Sequence, residues 1–351
     1  MARRVAKRRI LALMHEDLVP PDDLSGVSPE EFELYKSEHD VVTTLRGLGH
    51  EVMKLGLYDE LLPLRQAITE WRPHITFNLL EEFRGLAVYD HNVVSYLELL
   101  GVPYTGNTPR GLVLARDKAL AKKIMRFHRI RTPRFAHFPF GHKARLPRQL
   151  SYPVIVKSQL EEASLGIAQA SVVSNDAALA ERVAFVHEHV GTAAIAEQYI
   201  DGREINIGVL GNRRLQVLPP WELNFSGLPD SAWRIATHKV KWDLGYQERH
   251  GIDIGPARDL PARVVDELTS MAKRAYRALE LAGWARIDFR LAANGKVYLI
   301  EANPNCDISR DEEFASAANA AGYSYGALLQ RIVNLGLKRE ALVRRKGTGR
   351  G

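Results

Sequence analysis

Apolar residues in the first third of the chain recur in two alternating patterns. Residues 9–14 form a short apolar run of strand type, and residues 29–48 repeat at helical spacing, with Phe32, Leu34, Tyr35, Val41, Val42 and Leu45 apolar. Gly49 ends that helix, and residues 51–55 read as a second strand. A helix over 60–71 and a strand over 74–79 complete a βαβαβ order, which predicts a parallel sheet with right-handed crossovers. Ligands of such sheets collect beyond the carboxyl ends of the strands. His15-Glu16-Asp17 and Asn78, followed by Glu81-Glu82, are the polar segments at those ends. A third helix, 92–100, leads to the segment 101–106.

From Arg116 onward the order changes. A basic helix over 117–128 precedes Pro133, and prolines between 147 and 153 mark another break. Residues 152–157 then read as a strand ending on Lys157, followed by a polar loop, 158–166, and a strand, 168–173. Asn175-Asp176 can cap a helix running to 189. Next come a strand over 194–200, a turn at Asp201-Gly202 and a strand over 204–210. An amphipathic helix, 264–279, carries Val265, Leu268, Met271, Ala272, Ala275, Tyr276 and Leu279 on one face, with Gly283 closing it. This mixture predicts an α/β fold that becomes α+β in its C-terminal part, without internal repeats.

The sharpest local pattern is a hairpin. Residues 285–291 and 296–303 are alternating runs joined through Asn294-Gly295, a strong two-residue turn signal. In that register Asp288 faces Glu301 and Arg286 faces Asn303, while Ala285, Ile287, Phe289 and Leu291 occupy the opposite face. Two carboxylates directly opposite one another repel unless one is protonated or a cation lies between them. Carboxylate and amide oxygens suit a hard divalent ion, so Asp288, Glu301 and Asn303 are the candidate metal ligands, with Arg286 one step away. The alternative is a hairpin whose acids point into water.

Charge modifies this picture only slightly. The net charge of +6 is concentrated in a basic N-terminus, the segment 116–148 and a basic tail, and the remaining body is acidic. A basic internal segment suits a polyanion such as a nucleotide triphosphate. No zinc-finger spacing, basic heptad or aromatic RNA-binding signature supports nucleic-acid binding. No apolar run reaches the roughly 20 residues of a membrane helix. The single cysteine, Cys306, precludes an intrachain disulfide and fits a reducing cytoplasm. Cys306 reads as a small packing residue in preference to a reactive thiol.

Several further segments resemble the ATP-grasp superfamily and, within it, the D-alanine–D-alanine ligase group. They are Val-Pro-Tyr-Thr-Gly at 102–106, Asp117-Lys118, Pro-Val-Ile-Val-Lys at 153–157, Glu197 through Glu204, Lys241-Trp242, Gly-Trp-Ala-Arg-Ile-Asp at 283–288 and Glu-Ala-Asn at 301–303. The resemblance implies a Rossmann-like pre-ATP-grasp unit over 1–115, a small ATP-grasp subdomain over 116–193, a C-terminal subdomain with the metal hairpin over 194–340, and a basic tail over 341–351. It implies ATP as cofactor with Mg2+, or Mn2+ in its place. Lys118, Lys157 and Lys241 would meet the phosphates. Glu197, Gln198, Tyr199 and Ile200 would border the adenine, and Glu204 the ribose. Arg286, and Ser164 in the phosphate-covering loop 161–166, would be catalytic. The implied reaction is ligation of a carboxylate to an amine through an acylphosphate. Partners would be small acids and amines of amino-acid or peptide type, and homodimers are common among related ligases.

Three departures fall where substrates would bind. Residues 14–21 lack the Gly-Gly segment that usually follows the first strand, and the third strand leads to Glu81 instead of His-Gly. Asp307 stands where the family has glycine. An acid there suits an amine or cation better than a second carboxylate, so His15, Glu16, Glu81 and Asp307 are substrate candidates. Two other readings remain open: a D-alanine–D-alanine ligase proper, and a nucleotide-binding protein without ligase turnover.

Overall fold

A computed structural model describes residues 6–161, 166–225, 227–229, 231–237, 239–240 and 243–347. The first sheet consists of β1 (Arg9–His15), β2 (Glu51–Leu57) and β3 (Ile75–Asn78), in the order β2-β1-β3. Both pairings are parallel, as the βαβαβ pattern predicts. Ile10 to Met14 are fully buried at consecutive positions, which is the signature of a central strand covered on both faces. The helix expected over 29–48 is two pieces, Pro29–Leu34 and Lys36–Gly47, interrupted at Tyr35. Ser28 and Glu31 form a capping box that starts the first piece, which buries nothing. The second buries Glu38, Val41, Val42 and Leu45 along one stripe.

The middle sheet runs β4-β7-β5-β6, from β4 (Phe135–Phe138), β5 (Val154–Ser158), β6 (Val172–Val173) and β7 (Ala194–Gln198). Residues 168–173 are therefore mostly not strand. Gln169–Ser171 is a tight helical turn, with Ser171 Oγ accepting from the Ala168 amide at 3.0 Å. β7 pairs with β4 and β5, so it completes this sheet instead of opening the next one at residue 194.

The last sheet runs β11-β10-β8-β12-β13 with β9 on the flank of β8. Its strands are β8 (Arg203–Gly211), β9 (Leu215–Val217), β10 (Trp221–Asn224), β11 (Asp253–Pro256), β12 (Trp284–Leu291) and β13 (Val297–Pro304). The helix Ala262–Ala278 packs on one face through Val264, Leu268, Met271, Ala272, Ala275 and Tyr276, Val264 taking the inward position expected for Val265. The opposite face carries the polar residues considered below. The C-terminal helix Tyr325–Gly347 returns to the first sheet, where Leu328, Leu329, Ile332 and Val333 join a core with Ile10, Ile75 and Phe77. Arg339 on that helix donates to the carbonyls of Tyr104 at 2.9 Å and Gly106 at 2.6 Å. Among the described residues no helix is long and apolar enough to cross a membrane.

Candidate nucleotide and metal site

The hairpin reaches the expected facing by an unexpected route. Its turn is a three-residue loop: Ala292 and Lys296 are bonded at 3.0 Å, and Gly295 takes the left-handed conformation at φ 76°. Leu291 accordingly pairs with Val297 and Phe289 with Leu299, one residue out of the register a two-residue turn would set. Between Asp288 and Phe289 the register shifts back, because Ile300 is an extra residue on β13. Asp288 therefore faces Glu301, and Arg286 faces Asn303. Without the bulge Asp288 would oppose Ile300, and Glu301 would turn toward the helix-covered face.

On the third strand of this face, β8, Glu204 lies beside Arg290, Asn206 beside Asp288 and Gly208 beside Arg286. Arg290 is buried and donates to Glu204 at 2.7 Å, to the Gly202 carbonyl at 2.9 Å and to the Arg234 carbonyl at 2.6 Å. Glu204 is thus held in a fixed orientation by a charge-assisted bond.

The middle sheet supplies the facing wall. Glu197 is 1% exposed and sits between Lys122 at 3.2 Å and Lys157 at 3.6 Å. Burial lowers the affinity of the Lys157 ammonium for its proton, but Glu197, Glu301 and Glu204 outweigh it, so the Lys157 pKa is raised. For Lys122, burial prevails over Glu197 and the pKa falls. Lys118 donates to the Glu161 carbonyl at 2.5 Å. Together these walls line one cleft, with Lys118, Lys157, Glu197, Gln198, Tyr199, Ile200, Glu204, Asp288 and Glu301 among its residues. Ile155, Ile167, Ile235 and Ile300 give the same cleft an apolar floor. Isoleucine side chains beside Lys118 and Lys157 suit a nucleotide: the ring against the isoleucines, the phosphates toward the lysines.

At the far end Asp288 accepts from Arg286 Nε at 2.8 Å, from a second Arg286 nitrogen at 3.0 Å and from Asn303 Nδ2 at 2.7 Å. Arg286 also meets Glu313 at 3.0 Å. Burial alone would lower the Arg286 pKa, but the two carboxylates hold it well above its ordinary value, so Arg286 stays charged. The donor set fits a divalent ion. No group of three or more His, Cys, Asp and Glu is arranged for a metal among the described residues. An ion here would use the two acids, the Asn303 amide turned to present its oxygen, and water or phosphate.

Comparison with known proteins bears on this geometry. The family model described as D-ala D-ala ligase C-terminus matches residues 120–334. A D-alanine–D-alanine ligase of Moorella thermoacetica is 31% identical over 324 residues, covering 90% of this chain and 98% of its own. The chain belongs to the D-alanine–D-alanine ligase family. An uncharacterized protein of Sinorhizobium fredii is 28% identical over 320 residues, covering 89% of this chain and 90% of its own. In fold, the D-alanine–D-alanine ligase of Bacillus anthracis complexed with ATP matches with a TM-score of 0.73 at 21% identity, covering 95% of this chain and 99% of that one. As a member of this family, the chain is an ATP-using ATP-grasp ligase that forms C–N bonds, with small amino-acid-type substrates.

Within the family frame, Ser164 and Lys241 lie outside the described residues. His15, Glu16 and Glu81 lie at or just beyond the carboxyl ends of β1 and β3 and are not among the residues lining the nucleotide cleft. His15 stands 3.4 Å from Glu82 and edge-on to Tyr58. Asp307 is exposed, and its Oδ1 accepts from the Ser309 amide and hydroxyl at 2.7 and 2.6 Å. Four functional candidates escaped the sequence reading: Lys122, Arg290, Glu313 and Glu38. Lys122 and Glu38 each carried a visible signal, a charged residue inside the apolar stripe of an amphipathic helix. Glu38 is 5% exposed, and burial, with Asp307 nearby, raises its pKa to about 7 against the opposing bond from its own amide. Cys306 is buried, its thiol pushed up by burial. That burial fits the packing role.

Proposed function

We propose that this ligase activates a small carboxylate with ATP and joins it to an amine, with Mg2+ held by Asp288, Glu301 and Asn303. The observation that carries the reading is the convergence of both walls on one cleft, with Lys118 and Lys157 across from Asp288 and Glu301. The ion would offset charge on the transferring phosphoryl group. Lys118 and Lys157 would orient the phosphates and draw charge from them. Glu204, fixed by Arg290, would accept from ribose hydroxyls, and the 197–200 segment would border the adenine. The acid's carboxylate takes the γ-phosphoryl group, ADP leaves, and the amine then displaces phosphate from the acylphosphate carbonyl. Arg286, pinned to Asp288 and Glu313, would face the oxyanion formed in that second step.

The ends of the first-sheet strands, with Asp307, would take the acid and amine. Glu16, Glu81 and Asp307 on that side favour an amine or cationic partner over a second free carboxylate. The test is phosphate release from ATP and Mg2+ with pools of acids and amines. Release is expected only when both are supplied. Turnover with D-alanine alone would establish a D-alanine–D-alanine ligase proper and overturn the reading of Asp307. Silence across broad pools with intact ATP binding would leave a binding protein without turnover.

A further inference from the structure

Lys122 is a residue the proposed chemistry does not use, yet it is only 2% exposed and carries an ammonium group. It lies in the buried stripe of the helix Lys118–Phe127, beside Ala121 and Met125. An apolar residue would fill that position without desolvating a charge, so packing alone does not explain a lysine there. Its nitrogen makes two contacts. One is to Glu197 at 3.2 Å. The other is a bond to the Ile300 carbonyl at 2.6 Å.

Ile300 is the bulge residue of β13, and its neighbour Glu301 is the acid that the bulge turns toward Asp288. The extra residue of a bulge falls out of the strand ladder, and its backbone needs another partner. A charged donor on that carbonyl holds the bulge in place. Glu197, itself paired with Lys157, keeps the donor in position from the opposite wall.

We infer that Lys122 is a positioning residue for the metal centre: by binding the Ile300 carbonyl it fixes the bulge that aims Glu301 at the ion. This rests on the reading that Asp288 and Glu301 hold a divalent cation. It assigns to the middle subdomain a direct part in building a site whose ligands all belong to the last one.

The test is Mn2+ binding followed by electron paramagnetic resonance, with nucleotide binding measured separately in EDTA. Lys122→Met removes the donor to the Ile300 carbonyl and one of the two cations on Glu197, which stays paired with Lys157. Outer partners of metal ligands typically change affinity by about 10- to 100-fold. Mn2+ affinity is expected to fall by about tenfold or more, and nucleotide affinity in EDTA by a clearly smaller factor. An unchanged Mn2+ affinity in folded Lys122→Met, or a loss confined to the nucleotide, overturns the inference. Wild-type protein that binds no Mn2+ refutes the metal reading instead, which separates the two failures. Should Lys122→Met not fold, Lys122→Gln, which loses the charged donor to the Ile300 carbonyl, is measured in the same way. A fall in its Mn2+ affinity larger than any fall in nucleotide affinity is expected, and Mn2+ affinity equal to wild type overturns the inference.

Discussion

Arg286 holds one carboxylate with each end of its guanidinium group: Asp288 through two bonds, and Glu313 at 3.0 Å. A planar fork can do this, and a point-charge ammonium cannot. Arg286→Lys keeps the positive charge between the two acids, so folding should survive with a small shift in melting temperature. Turnover should drop by about 10²-fold or more, the scale of losing one preorganised donor to a developing oxyanion. A steady-state assay that finds kcat within a few-fold of wild type would remove Arg286 from the reacting centre. The sequence placed Arg286 beside Asp288 by strand alternation alone. It could not show Glu313, because that residue arrives on the helix Glu313–Ala320 and meets Arg286 only in the folded chain.

At the scale of elements, the hairpin and its neighbour β8 decide the site. Gly202 opens β8 at φ 149°, and a β-carbon there would stand 2.1 Å from the Leu291 carbonyl at the end of β12. Its own carbonyl accepts from Arg290, which in turn holds Glu204. Gly202→Ala should therefore cost about 1–3 kcal/mol of stability and weaken nucleotide binding as well. Thermal melts and a nucleotide titration check both parts, and a normal melt would show that the strands separate freely at that point. The facing of Asp288 and Glu301 was legible because alternation and the Asn294-Gly295 signal point the same way. The turn length and the bulge at Ile300 were not legible. They depend on how β13 fits against its neighbours, and their two one-residue shifts cancel at the acids.

At the scale of the whole molecule, the first sheet, its helices and the C-terminal segments close over Glu38. Its carboxyl titrates at about 7 in the folded chain against an ordinary 4.5, driven first by burial and then by Asp307. The folded state therefore binds this proton more tightly than the unfolded chain. Stability falls as pH rises from about 4.5 to 7 and then levels off, with a loss of at most about 3 kcal/mol. Glu38→Gln removes the titration, so its melting temperature should exceed wild type at pH 8 and approach it at pH 5. Equal differences at the two pH values would mean that Glu38 ionises freely in the native protein. Arg339 on the C-terminal helix reaches the carbonyls of Tyr104 and Gly106 through long-range contacts that no local pattern announces.

The sequence by itself determined the βαβαβ order and parallel pairing of the first sheet, the polar face of the last hairpin and, through its motifs, the family. Each of these is written in spacing that repeats over a few residues. Tertiary structure alone decided which charges share a wall. It set Lys122 against both Glu197 and Ile300, paired Arg290 with Glu204, and moved β7 into the middle sheet. These contacts join residues far apart in the chain, up to 178 positions for Lys122 and Ile300, beyond the reach of any pattern that repeats over a few residues, and the buried charges among them must find partners as the chain folds.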